Sequence, residues 1–294
     1  HLEEAIVAPA EMLPYLGRGQ HDGREGNLAY HNSLMVQFWS SLATRDTRLM
    51  THVLATHFPD RLTNATYATY IRCHDDIGWA ITDEDAADMA ISGPAHRRYL
   101  SEFYEGGFPG SFAQGVNFQV NESTGDKRIS GSFASLAGLE RAMAAGNPDA
   151  MEQALQRIHL GHALIASFGG IPLIYMGDEL AQTNDYTYRD HPAHAHDSRW
   201  VHRPMMDWAQ AARRHGGDTP ASRAFLGLRH ILARRRATPG LHAAYPARVL
   251  DTGLAPLLAV LRDAPTGPIL CLFNFAETWL SLPAAFARVQ GITH

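Results

Sequence analysis

Acidic side chains stand at the ends of several predicted strands of this sequence. Glu3-Glu4, His74-Asp75-Asp76 and Asp178-Glu179 each fall at a predicted strand end. In folds that alternate strands and helices, the carboxyl ends of parallel strands meet at one edge, and chemistry is done there. We therefore expect these acids to gather at one candidate site.

A glutamic acid facing aspartates across such an edge is suited to cleaving a glycosidic bond. That reaction needs a proton donor for the leaving oxygen and carboxylates beside the developing oxocarbenium ion. Glu4 is the candidate donor, because burial raises the pKa of a carboxyl, and Asp75 is the candidate for charge stabilisation. Two other interpretations of the His74-Asp75-Asp76 triplet stay open: part of a metal-dependent phosphohydrolase site, or a solvated turn.

The hydrophobic periodicity around these acids predicts the elements that must hold them. Strands are expected at residues 4–7, 28–36, 66–73 and 171–176, and helices at 31–57, 148–168 and 220–236. Beyond Pro239 the sequence pattern changes and predicts three short strands, at 248–250, 257–261 and 269–274. Alternating strands and helices followed by strands alone predict a parallel sheet or barrel with a small all-β region after it.

The composition excludes several classes of protein. With 25 Lys+Arg against 30 Asp+Glu, the chain lacks the basic excess of nucleic-acid binders. Cys73 and Cys271 are too few for a disulfide framework or a cysteine zinc cluster. The single lysine, Lys127, lies between Asp126 and Arg128, which excludes a phosphate-binding loop that ends in Gly-Lys-Ser/Thr. His191, His194 and His196 occupy a polar loop, where we expect solvated side chains.

Two stretches of the chain carry a specific resemblance. The run from Tyr70 to Trp79 (YIRCHDDIGW) resembles the region of the third catalytic acid in the amylosucrase branch of the α-amylase family. Glu4-Ala5-Ile6-Val7 is similar to the strand that carries the acid/base glutamate of that branch. Further similar stretches follow in order at residues 42–45, 123–128, 177–179, 197–200 and 202–204.

The resemblance implies a role for each matching residue. Glu4 would be the general acid/base, Asp75 would grip the sugar ring and support the transition state, and His74 would hydrogen-bond the sugar hydroxyls. The remaining roles concern the neighbouring subsites and the pocket floor. Ile6, Asp76 and Arg128 would line the adjoining subsite, Arg97 the outer acceptor groove, and Arg199 would close the pocket beside an acid outside this chain. No metal and no cofactor are implied.

The resemblance also implies the architecture: α/β, the second half of a (β/α)8 TIM barrel, with an inserted subdomain and an incomplete C-terminal β-sandwich. The expected division is 1–79 barrel, 80–143 inserted subdomain, 144–238 barrel, and 239–294 C-terminal all-β domain. The family's nucleophile is an aspartate in an Arg-x-Asp-Ala motif, which this sequence does not contain. We therefore expect the C-terminal half of an enzyme, truncated at both ends, and no sucrose turnover by this chain alone.

The expected activity of the parent enzyme is glucosyl transfer with retention, from sucrose to an α-1,4-glucan, with release of fructose. A sucrose hydrolase of the same branch and a catalytically inactive amylase-like binding fragment are the alternatives. The expected partners are sucrose and an α-glucan acceptor, with neither nucleic acid nor membrane. The oligomeric state stays open, and for localisation the bacterial cytoplasm is favoured over secretion.

Overall fold

The computed structural model describes residues 1–17, 19–58 and 62–292, and the chain is an α/β protein with a parallel sheet. The strands are β1 Leu2–Glu3, β2 Leu28–Tyr30, β3 Thr66–Thr69, β4 Val116–Val120, β5 Lys127–Ser130, β6 Ile171–Pro172, β7 Ala247–Leu250, β8 Leu257–Ala264 and β9 Gly267–Asn274. The helices are α1 Pro9–Tyr15, α2 Asn32–Thr44, α3 Arg48–His57, α4 Asp83–Asp88, α5 Gly93–Glu105, α6 Phe133–Leu136, α7 Leu139–Ala144, α8 Pro148–Ser167, α9 Trp208–Ala212, α10 Pro220–Ala237 and α11 Ala284–Val289.

Strands β1, β2, β3 and β6 lie side by side in that order, and each pairs in parallel with the next. The register places Glu3 opposite Ala29 and Ala29 opposite Tyr67. Helices connect the successive strands, as parallel pairing requires, because a tight turn cannot return the chain to the same edge. Glu4 and Tyr70, the residues that follow β1 and β3, therefore leave the sheet at the same edge.

The predicted helix at residues 31–57 is two helices. His31 begins α2 by accepting a hydrogen bond from the Leu34 amide on its ring Nδ1 (3.3 Å). Arg45 then takes a left-handed conformation (φ 57°), which ends α2 before α3 begins at Arg48. The predicted strand at 28–36 likewise stops at Tyr30, because its second half belongs to α2.

The junction between α8 and β6 needs glycine. Gly170 has φ 79°, and a Cβ there would lie 2.2 Å from the carbonyl oxygen of Tyr67 on β3. Any other residue would push these two segments apart. Gly169-Gly170 therefore ends the helix and lets β6 reach its place beside β3.

The chain divides into two compact units. Unit 1 comprises His1–Tyr70, Ala163–Leu173 and Ile231–His294, and unit 2 comprises Ile71–His162 and Ile174–His230. Each unit is discontinuous in sequence, because α8 and α10 each contribute to both. The four-part division expected from the sequence stays a prediction.

Unit 1 contains the parallel sheet and the C-terminal antiparallel sheet β7–β8–β9. Arg262 on β8 is completely buried and donates hydrogen bonds to the carbonyls of Ser167, at the end of α8, and of His242 (2.6 and 2.7 Å). Burial lowers its pKa to about 10. Helix α11 follows β9, so this region is not built from strands alone.

Unit 2 contains the antiparallel hairpin β4–β5 and the helices packed around it. Ser101 on α5 accepts a hydrogen bond from the indole of Trp79 (3.0 Å) and donates one to the carbonyl of Lys127 on β5 (3.0 Å). The indole of Trp79 also stacks on Tyr104 of the same helix. Helix α5 thereby fixes the segment after residue 76 against the hairpin. Throughout the ranges that the structure describes, no helix has the length and apolar character needed to cross a membrane.

Candidate functional site

The His74-Asp75-Asp76 turn is anchored by an isolated antiparallel bridge in unit 2. Ile77 and Ile129, both completely buried, exchange two backbone hydrogen bonds of 2.8 and 3.0 Å. This bridge joins segments more than fifty positions apart in the sequence and sets Gly78 opposite Arg128. Because Gly78 has no side chain, the guanidinium of Arg128 can lie over it: a Cβ there would be 3.3 Å from the Arg128 Nε.

Arg128 pairs with Asp76 across this bridge. The distance from Arg128 Nε to Asp76 Oδ2 is 3.1 Å, and the Asp76 side chain is only 1% exposed while that of Arg128 is 38% exposed. Burial raises the pKa of Asp76 despite the charge of Arg128, and the neighbouring Asp75 adds to the rise. The structure thus brings together two of the three residues, Asp76 and Arg128, that the resemblance assigns to the adjoining subsite.

Asp75 has the opposite electrostatic environment. Burial favours its neutral form, but the hydrogen bond and charge of Arg199 outweigh burial and lower the pKa of Asp75. Arg199 Nη1 lies 2.7 Å from Asp75 Oδ1, and the Asp75 side chain is 24% exposed. Two adjacent carboxyls with pKa values shifted apart are typical of sites that need one ionised group at a defined place.

Arg199 is itself held on two sides. Asp197 accepts hydrogen bonds from its Nε and Nη2 (2.9 and 2.8 Å), and the Phe118 ring on β4 lies beneath its guanidinium, 4.7 Å away. Phe118 is paired with Arg128 in the β4–β5 register, so the hairpin carries one site arginine and supports the other. Within unit 2 Arg199 thus contacts Asp75 and Asp197, and its pairing with an acid outside this chain stays a prediction.

The remaining predicted residues of unit 2 are His74 and Arg97. His74 is exposed and immediately precedes Asp75. Arg97 on α5 donates to Asp83 Oδ1 and to the carbonyl of Ile81 (2.8 Å each), and its Nε lies 3.6 Å from Asp126. In this position Arg97 ties α5 to the segment before α4 and to the turn of the hairpin.

Glu4 and Ile6 belong to unit 1. Both follow β1 and are exposed, with 56% of Ile6 accessible to solvent. Their roles stay predictions, as do those of the unit 2 residues. Within residues 1–17, 19–58 and 62–292, no group of three or more His, Cys, Asp or Glu side chains is arranged to hold a metal ion.

Comparison with known proteins identifies the fold. No family model matches the chain. Among solved structures, sucrose 6F-phosphate phosphorylase from Thermoanaerobacter thermosaccharolyticum aligns with a TM-score of 0.56 at 14% identity, over 84% of this chain and 43% of that one. The chain therefore shares the fold of the aligned part of that enzyme. It spans less than half the length of that structure.

Two α-amylases align more loosely. That of H.orenii has a TM-score of 0.49 at 10% identity, over 93% of this chain and 43% of that one. That of Geobacillus thermoleovorans, complexed with acarbose, has a TM-score of 0.44 at 15% identity, over 92% of this chain and 40% of that one.

The structure adds residues to which sequence reasoning gave no role. Arg72, His202 and Arg203 contact the backbone of the turn, although each lies in a stretch already noted for its resemblance. Asp178 is buried near Arg72, and burial raises its pKa to about 7. The sequence did carry a signal for Arg72, a charged residue inside the apolar run YIRC. A buried arginine needs carbonyl or carboxylate partners, so this position indicated a polar contact in the interior.

Proposed function

We propose that the full-length protein containing this chain is a sucrose-cleaving glucosyltransferase of the amylosucrase type. It would transfer glucose from sucrose to an α-1,4-glucan with retention and release fructose. The proposal includes the architecture expected from the sequence: the second half of a (β/α)8 barrel, an inserted subdomain at 80–143 and a C-terminal β-sandwich from residue 239.

The observation that carries the proposal is the state of Asp75. Arg199 holds this carboxyl in its ionised form, half-buried and next to the exposed imidazole of His74. A fixed negative charge beside hydrogen-bonding groups is what an oxocarbenium-like transition state needs, because positive charge develops on the sugar ring. The fold shared with an α-amylase-family enzyme is consistent with this chemistry, although fold alone does not establish an activity.

In the proposed reaction, Glu4 gives its proton to the glycosidic oxygen as the bond to the fructosyl group breaks. A nucleophilic carboxylate outside this chain takes the glucosyl carbon, and the first inversion releases fructose. Glu4 then removes a proton from the acceptor hydroxyl, which attacks the same carbon with a second inversion. Asp75 stabilises the charge that develops in both steps, and His74 hydrogen-bonds the ring hydroxyls.

The flanking residues select the partners in this proposal. Asp76, Arg128 and Ile6 line the subsite that holds fructose first and the glucan end afterwards. Arg199 closes the floor of the glucosyl pocket, and Arg97 contributes to the outer groove for the acceptor. Arginine forks suit this task because their planar donors bind sugar hydroxyls and acceptor oxygens in fixed directions.

The test is product analysis of the full-length protein with sucrose, with and without an α-1,4-glucan primer. We expect fructose in excess over free glucose, and a glucan that grows with the primer. Equimolar glucose and fructose without polymer would contradict the transferase and identify the hydrolase. No turnover of sucrose together with retained binding of a glucan would identify an inactive binding protein.

A parallel incubation uses sucrose 6F-phosphate with inorganic phosphate, the substrate in the name of the aligned phosphorylase. Turnover confined to this mixture would also contradict the proposal. The Glu25→Gln protein is the control for handling and folding, because the Glu25 side chain is 48% exposed and pairs with the nearby His21 ring at 3.4 Å.

A further inference from the structure

The peptide carbonyls of the His74-Asp75 turn accept hydrogen bonds from cationic and imidazole side chains. Arg203 donates from Nε and from Nη2 to the carbonyl oxygen of His74, at 2.8 and 2.5 Å. His202 Nε2 lies 3.2 Å from the same oxygen. Arg72 Nη2 donates to the carbonyl oxygen of Asp75 at 2.8 Å. Two successive peptide planes are therefore oriented by three side chains that do not belong to the turn.

Two of these donors are built into the interior of unit 2. Arg72 and His202 are each only 2% exposed. Burial lowers the pKa of His202 well below its usual range, so the ring is neutral. A neutral ring that donates from Nε2 carries its proton there, which fixes its tautomer. A buried guanidinium and a buried imidazole have little freedom to move, and their directions are transmitted to the turn.

Arg203 is oriented by a column of stacked rings. Its guanidinium lies over the Trp200 ring, 5.4 Å from the centroid. Trp200 in turn stacks on His194 with centroids 3.6 Å apart and planes 13° apart, and His194 stacks on His191 at 4.2 Å. The loop expected to be simply solvated thus supports the residue that holds the turn. A guanidinium on an aromatic face keeps its plane fixed while its edge stays free to donate.

The direction of the turn determines where Asp75 presents its carboxylate. Its side chain meets Arg199 at 2.7 Å, while the backbone on either side of its Cα is held by Arg203, His202 and Arg72. A rotation of the 74–75 peptide would carry the carboxylate away from Arg199. A displacement of about 1 Å of a catalytic group reduces a rate by about a hundredfold.

We infer that Arg203 is a positioning residue of the reaction, which acts with His202 and Arg72 by holding the 74–75 peptides so that Asp75 faces Arg199. The inference rests on the proposed function for its kinetic consequence. Its structural consequence, the placement of the Asp75 carboxylate, does not depend on which substrate is turned over.

The first test is a double-mutant cycle in the full-length protein with Arg203→Lys and Asp75→Asn. Lysine keeps the charge at 203 but lacks the paired N–H donors of the guanidinium. We therefore expect kcat to fall about 10- to 100-fold with KM changed less than about threefold. In the Asp75→Asn protein the same lysine substitution should reduce kcat less than about threefold, because the carboxylate that Arg203 positions is already gone. If the kcat losses of the two single variants multiplied fully in the double variant, the inference would be overturned.

The matched control is Arg189→Lys. Arg189 also lies over aromatic rings, those of Tyr186 and Tyr188 at 5.5 and 5.6 Å, and its Nε lies 3.4 Å from the Tyr188 hydroxyl, not at the turn. We expect its kcat to match that of the unmodified protein. Trp200→Leu removes the face beneath Arg203 and should give a smaller kcat loss with the same dependence on Asp75. If Trp200→Leu reduced kcat equally in the unmodified protein and in the Asp75→Asn protein, the inference would again be contradicted.

The second test follows the Asp75 carboxyl directly, by 13Cγ NMR titration of the full-length protein, with Asp75→Asn identifying the signal. We expect Arg203→Lys to raise the pKa of Asp75, since the carboxylate moves away from Arg199, and Arg189→Lys to leave it unchanged. An unchanged pKa in Arg203→Lys would overturn the inference even if sucrose is turned over. A protein that turns over neither sucrose nor a glucan would overturn the proposed function, and the titration would still decide the positioning role.

Discussion

The turn at residues 74–76 and the segment after β1 carry the two halves of the predicted catalytic set, but their surroundings differ. At the turn, Asp76 is 1% exposed against Arg128, and Asp75 is held by Arg199. After β1, Glu4 and Ile6 are exposed. The turn therefore already has the desolvation and charged neighbours that tune a carboxyl, whereas the Glu4 side chain is exposed to solvent.

The difference shows that strand ends do not by themselves organise a site. Glu4 and Tyr70 leave the same edge of the parallel sheet, and the turn that follows Tyr70 is held within unit 2 by backbone hydrogen bonds between Ile77 and Ile129 of the hairpin. That bridge places Arg128, and the hairpin supports Arg199 through Phe118. Preorganisation at the turn thus comes from the polypeptide after β3, in unit 2. Substitutions in each segment can show whether Glu4 and Asp75 nevertheless serve one reaction.

The largest effect is expected for Glu4→Gln in the full-length protein. An amide neither gives nor takes the proton, so kcat for sucrose should fall by about 10²- to 10⁴-fold. Steady-state kinetics measures the change, with Glu25→Gln as the exposed control. A Glu4→Gln protein with undiminished kcat would place the segment after β1 outside the catalytic site.

Asp75→Asn should reduce kcat by about 10²- to 10³-fold, because the fixed negative charge beside the developing cation is lost. The control is Asp263→Asn, since Asp263 is 52% exposed and lies 3.9 Å from Arg248. The melting temperature of both variants should stay close to that of the unmodified protein. Equal kcat values for the two variants would mean that the turn is organised for a reason other than catalysis.

Asp178 should make the stability of the protein depend on pH. Burial raises its pKa to about 7, against about 3.9 for an unfolded aspartate. A raised pKa favours the protonated folded form, so its contribution is complete below about pH 4 and is lost as the pH rises to about 7. We expect the unmodified protein to lose about 2 kcal/mol between pH 5 and pH 7 relative to Asp178→Asn.

Urea unfolding of both proteins across that pH range measures the difference. Asp149→Asn is the matched control, because Asp149 is an exposed aspartate of the same unit. Parallel stability curves for the unmodified protein and Asp178→Asn would show that the Asp178 carboxyl remains ionised when buried, held by the charge of Arg72.

The smallest effect is expected for Arg128→Gln, which leaves Asp76 buried without its opposite charge. Breaking a fully buried ion pair costs about 3–5 kcal/mol. Because Arg128 is 38% exposed, solvent screens the pair, and we expect a loss of about 1–2 kcal/mol in the free energy of unfolding.

Arg223→Gln is a close control for this variant. Arg223 is 39% exposed, but its partner Glu152 is 45% exposed, so we expect a loss below about 1 kcal/mol. Adding Asp76→Asn to Arg128→Gln should restore part of the lost stability, since the buried charge is removed. Equal losses at Arg128 and Arg223 would contradict the importance of burial at the turn.

Local patterns predicted the types of the main elements well and their ends poorly. The strand expected at 66–73 stops at Thr69, and the helix expected at 31–57 is interrupted at Arg45. Hydrophobic periodicity reports the buried face of an element, and it continues through a break when both pieces bury the same face. The hairpin β4–β5 lies in the expected inserted subdomain and was not among the predicted strands, although it carries Arg128 and supports Arg199.

The sequence by itself determined the order of strands and helices, the motif at residues 70–79 and the acids that follow the strands, because these depend on neighbouring residues and on residue type. Only the tertiary structure decided which charge each acid meets. Arg128 and Arg199 reach Asp76 and Asp75 from more than fifty and more than one hundred and twenty positions away, through a bridge and a hairpin. The pKa values of two adjacent aspartates move in opposite directions for that reason, since burial and the nearest guanidinium are properties of the folded chain.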